Sequence, residues 1–77
     1  MKYEISGKLL LSNHDITING QVQTVFEIHD LTKVESLYYR DGKLKLFANG
    51  ELFFSVDGDK YLAARLFKDV QSFMLNN

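Results

Sequence analysis

Chemistry in a small chain starts from its histidines, cysteines, carboxylates and glycines. The sequence has two His and no Cys. An imidazole titrates near neutral pH and serves as a base or metal ligand when a partner is close. His14 and His29 show no His-x-x-x-His or other close ligand spacing, and both read as exposed loop imidazoles, His14 in a polar turn and His29 at a strand end. Without Cys there is no thiolate nucleophile, thiolate metal site or disulfide, and no Ser lies in a nucleophile elbow. Asp57-Gly58-Asp59 opens like a calcium loop, but Leu62 stands where that loop needs glycine and Lys68 where it needs glutamate. Turn formation and helix capping explain this pair better. The glycines, at 7, 20, 42, 50 and 58, are too scattered to cradle a phosphate. The residues thus assign no catalytic, metal or cofactor site, and the expectation is a protein that is not an enzyme.

The bulk properties bound the alternatives. The 77 residues, 45% hydrophobic and 25% charged, suit one small globular domain over residues 1–77. A chain of this size hides only roughly 60% of the surface it exposes when unfolded, so a single modest core is expected. Nine Lys plus Arg against ten Asp plus Glu give a net charge of -1, which argues against nucleic acid or an acidic membrane as partner. The first residues, Met1 to Lys8, carry charge where a signal peptide needs an apolar stretch, and no apolar run approaches the ~20 residues of a membrane span. Together with the missing cysteines, this leads to the expectation of a cytoplasmic protein.

Hydrophobic spacing then places the elements. Tyr3, Ile5, Gly7, Leu9 and Leu11 alternate with polar residues as in a half-buried strand, with Leu10 alone off pattern and Gly7 inside the strand. Ser12-Asn13-His14-Asp15 reads as a turn. Ile16, Ile18, Val22, Thr24, Phe26 and Ile28 share one parity across Asn19-Gly20. A two-residue hairpin there would put Ile18 opposite Gln21 and mix the faces, so a bulge or longer loop at Asn19-Gly20 is preferred.

From Val34 to Val56 the register is firmer. Asp41-Gly42 as a tight turn sets Tyr39 opposite Leu44 and Leu37 opposite Leu46. A three-residue loop, Ala48-Asn49-Gly50, would set Leu46 opposite Leu52 and Leu44 opposite Phe54, and is preferred over a two-residue turn. The core face is then Leu37, Tyr39, Leu44, Leu46, Leu52, Phe54 and Val56. The opposite face aligns Tyr38, Lys45 and Phe53 across three strands, with Phe47 nearby and Arg40 and Lys43 at one end.

Asp59 is suited to cap a helix of about residues 59 to 75, since a carboxylate can accept the free amide hydrogens of a first turn. Ala63, Leu66, Phe67, Val70, Phe73 and Met74 share one helical face, and that stripe needs the meander's core face to bury it. The fold class expected is α+β, an antiparallel sheet closed by one C-terminal amphipathic helix.

The order of these elements resembles bacterial pleckstrin-homology-like and GRAM-like domains. The resemblance rests on the stretch Phe26-Glu27-Ile28-His29-Asp30-Leu31-Thr32-Lys33-Val34-Glu35-Ser36, the Asp41-Gly42 turn, Lys43-Leu44-Lys45-Leu46 and the closing helix. It implies a strongly bent antiparallel sheet, here a partial barrel of five to six strands plugged by the helix, and a binding or assembly role. The paired basic residues of lipid-binding members are missing, since Lys8 is followed by Leu9-Leu10-Leu11-Ser12-Asn13, so phosphoinositide recognition is not implied.

The aromatic row of Tyr38, Lys45, Phe47 and Phe53 is the candidate interaction surface, because exposed apolar patches mark contacts. Three readings stay open: a second layer of core, a protein contact, or a stacking platform for single-stranded nucleic acid with Lys45, Lys43 and Arg40 supplying charge. The leading expectation is a non-enzymatic protein-interaction module whose partner is protein, above all a second copy of itself in a homodimer or higher assembly. No small-molecule ligand and no cofactor is implied.

Overall fold

The computed structural model describes residues 2–76. The described residues form six strands and one C-terminal helix, all strand pairs antiparallel, so the α+β class holds. The single bent sheet does not. There are two three-stranded sheets, each a simple meander, and neither closes into a barrel. They fall in two compact units, Met1–Thr32 and Lys33–Asn77.

In the first unit β1 (Lys2–Ser6), β2 (Leu9–Ile18) and β3 (Gln21–Asp30) lie in the order β1-β2-β3. The expected first strand through Leu11 is broken at Gly7-Lys8, where the chain turns and Ser6 pairs with Leu9. The residue that violated the alternation explains the turn: Leu10 pairs with Ile5, so both share a face, and Leu10 is fully buried. Ser12-Asn13-His14-Asp15 is therefore not a turn but the middle of β2. Its polar side chains are used across the ladder, as where Thr24 Oγ1 donates to Asp15 Oδ1 at 2.8 Å on the opposing strand. His14 is accordingly half-buried in a strand.

Asn19-Gly20 is a two-residue hairpin turn, not the bulge or longer loop expected. Ile18 pairs with Gln21 and Ile16 with Gln23, and Asn19 and Gly20 have φ of 51° and 79°. Two successive residues in the left-handed region give a turn whose twist matches that of the strands it joins, and Asn-Gly tolerates that backbone best. After β3, Thr32 donates from its backbone N and its Oγ1 to Asp30 Oδ1, at 3.0 and 2.6 Å, at the start of a short 3-10 turn, Leu31–Lys33.

In the second unit β4 (Ser36–Arg40), β5 (Lys43–Ala48) and β6 (Glu51–Val56) form the other meander, followed by α1 (Lys60–Asn76). The β4–β5 register is as expected, with Tyr39 opposite Leu44 and Leu37 opposite Leu46. The β5–β6 connection is corrected: Ala48 pairs with Glu51 around a two-residue Asn49-Gly50 turn, and the ladder then slips by one residue. Phe47 faces Leu52 but Leu46 faces Phe54, so Phe53 is the extra residue of a β-bulge. The bulge sets Leu46 opposite Phe54 and Leu44 opposite Val56, where an unbroken two-residue hairpin would set Leu44 opposite Ser55 and Lys45 opposite Phe54. It also carries Leu52 off the core face, where it is 57% exposed.

Asp59 caps α1 as expected: Leu62 N donates to its Oδ1 at 2.9 Å and Ala63 N to its backbone O at 3.0 Å. Ala63, Leu66 and Val70 are fully buried, while Phe67, Phe73 and Met74 are half-buried. Within this unit the helix lies on β4 and β5, whose face contributes the buried Leu44 and Leu46, and Phe54 and Val56 of β6 are buried as well. Tyr39 stacks on Phe67 with centroids 4.7 Å apart and ring planes 13° from parallel. Gly42 sits under the first turn of the helix: a Cβ there would stand 2.6 Å from Lys60 Cγ, at a φ of 74° that already favours glycine.

Candidate interaction surface

The aromatic row is dispersed by the bulge. Tyr38 and Lys45 are direct neighbours on β4 and β5, and the Lys45 ammonium lies 5.7 Å from the Tyr38 ring centroid. Lys45 meets Ser55 on β6, however, and not Phe53. Phe53 is the bulged residue and Phe47 stands opposite Leu52; both are half-buried, whereas Tyr38 is exposed. The continuous triplet of Tyr38, Lys45 and Phe53 is thus not formed. The cations nearby face carboxylates: Arg40 Nε is 3.6 Å from Asp41 Oδ2 and Lys43 Nζ is 4.0 Å from Asp57 Oδ2. Such exposed pairs add little stability but leave less net positive charge for a phosphate backbone.

The larger apolar surface is on the first sheet. Because the β2–β3 hairpin has a two-residue turn, the two apolar sets that shared one sequence parity separate. Ile5, Leu10, Ile16 and Ile18 lie on one face, and Leu9, Leu11, Val22, Phe26 and Ile28 on the other. The first face holds the buried positions, Leu10 and Ser12. The second is open: Val22, Phe26 and Ile28 are 68%, 74% and 71% exposed. They stand at every second or fourth position of β3, which among the described residues pairs only with β2 and forms one edge of its sheet. Beside Phe26 and Ile28 lies a depression of about 320 Å³ that also takes in Tyr3, Ser12 and Glu27 of the first face and is lined by neither histidine. His29 Nε2 is instead 3.2 Å from Glu27 Oε2 on the other face of β3.

Sequence reasoning missed this surface, although its signal was present. Asn19-Gly20 was the strongest hairpin dipeptide in the chain, and accepting it places Val22, Phe26 and Ile28 on the face opposite Leu10.

Among the described residues no group of three or more His, Asp or Glu is placed to hold a metal ion, and no helix is long and apolar enough to cross a membrane. Comparison with protein-family models, curated proteins and solved structures gave no match.

Proposed function

We propose that this chain is a non-enzymatic protein-interaction module that associates with a second copy of itself through its first sheet. The observation that carries the reading is the open apolar face of β3, where Val22, Phe26 and Ile28 are each at least two-thirds exposed along a strand edge. Monomeric proteins seldom leave neighbouring large side chains of this kind in water, and they seldom leave a long edge strand unguarded by charge or proline. The five outermost β3 residues, Gln21 to Val25, carry neither. The pleckstrin-homology-like resemblance agrees with a binding or assembly role. The Tyr38–Lys45 pair, with Phe47 and Phe53 withdrawn around the bulge, forms a smaller secondary contact region.

Sedimentation equilibrium at micromolar concentrations tests the reading. The expected result is the mass of two or more chains, falling towards one chain on dilution. A single-chain mass throughout the range overturns it.

A further inference from the structure

Resting on the reading just given, we infer that the second copy joins along the β3 edge, antiparallel and two-fold symmetric, with Val25 opposite Val25 of the other copy. The ladder itself dictates which backbone groups are on offer. Around a two-residue turn the closing pair, Ile18 and Gln21, is hydrogen-bonded, and such pairs recur at every second position. Gln21, Gln23, Val25, Glu27 and His29 therefore direct their amide and carbonyl groups to β2. Val22, Thr24, Phe26 and Ile28 direct theirs to the open edge.

A two-fold antiparallel pairing must place outward-directing residues opposite one another, which restricts the registers to steps of two residues. Centring on Val25 sets Val22 against Ile28 of the second copy and Thr24 against its Phe26. Apolar meets apolar, and a β-branched residue meets an aromatic one, both favourable cross-strand pairs. On the other face it sets Glu27 against Gln23 and His29 against Gln21, with no like charges opposed. All four outward positions of each strand are used, giving about eight backbone hydrogen bonds, within the ~10 of an ordinary interface.

The neighbouring registers are poorer. Centring on Phe26 sets Val22 against Asp30, whose carboxylate already holds Thr32. Centring on Thr24 sets Ile28 against Gly20, inside the hairpin turn. The favoured register joins the two apolar faces into one, flanking each exposed side chain with a neighbour from the other copy.

The chain has no Cys, so a single introduced thiol reports the register. At a non-hydrogen-bonded pair on the two-fold axis the Cα atoms stand about 4.5 Å apart, within the range a disulfide spans. Val25→Cys, oxidised with diamide at concentrations where the unaltered chain is dimeric, is expected to become mostly covalent dimer. Gln21→Cys, whose copies would lie about 27 Å apart along the strands, is expected to give less than a tenth as much. Ile28→Lys puts an ammonium in the paired face at a position exposed within one chain. It is expected to return the mass to one chain with unchanged circular dichroism. A dimeric mass with no more cross-linking at residue 25 than at 21, or a dimer that survives Ile28→Lys, overturns the register and leaves self-association standing. A single-chain mass for the unaltered protein overturns both.

Discussion

The two meanders are built alike, three antiparallel strands joined by two-residue turns, yet they dispose of their apolar residues in opposite ways. The second places Leu44, Leu46, Phe54 and Val56 on one face and has α1 within its own unit to lie against it. The first buries Leu10 and Ser12 on one face and holds Val22, Phe26 and Ile28 out on the other, with no α-helix in its unit among the described residues. A sheet is stable when at least one apolar face is covered by a second layer. The face carrying Val22, Phe26 and Ile28 stands open, and that openness is the difference between the two sheets.

Four substitutions sharpen the contrast, all read by denaturant unfolding at dilutions where the chain is single. Leu46→Ala removes a fully buried side chain from the helix-backed sheet and should cost about 3 kcal/mol, through lost transfer energy and the cavity left behind. Gly42→Ala should cost about 1–2 kcal/mol, since an L-residue is strained at φ 74° and its Cβ would press on Lys60. Asp59→Ala should cost about 1 kcal/mol, because the Leu62 amide loses its acceptor. Phe26→Thr deletes more apolar surface than Leu46→Ala but from an exposed position, and should change stability by less than about 0.5 kcal/mol. If Phe26→Thr proved as damaging as Leu46→Ala, the first sheet's open face would be a core face after all, and the contrast would collapse.

Much of the second unit was legible in the residues. Asp41-Gly42 fixed the β4–β5 register, and Asp59 with the stripe of Ala63, Leu66 and Val70 marked α1, because tight turns, caps and helical periodicity are local. The β5–β6 ladder was legible only to its turn. Phe53 as a bulge cannot be read from period-two spacing, since one extra residue inverts the parity of everything before it, and with it went the expected row of Tyr38, Lys45 and Phe53. In the first unit the error ran through one assumption, that all apolar residues of the hairpin share a face. That rule correctly describes a strand whose other side is polar and solvated. Here Ile16 and Ile18 belong to one face and Val22, Phe26 and Ile28 to the other, so the rule failed where the candidate surface lies.

The lengths of β1 and β2 carry one more consequence. β1 pairs with Leu9 to Asn13, so among the described residues the sheet narrows beyond Asn13 to two strands, where Thr24 is bonded to Asp15. A two-stranded ribbon is marginally stable alone in water. Its amide protons should exchange with solvent earlier than those of β5, which is flanked on both sides. If copies dock along β3, an arm that breathes in the free chain would surrender motion, and part of the attraction would be spent on ordering it. Proton exchange would then slow across residues 21 to 25 as concentration rises, a fingerprint of assembly written in the hairpin's own kinetics.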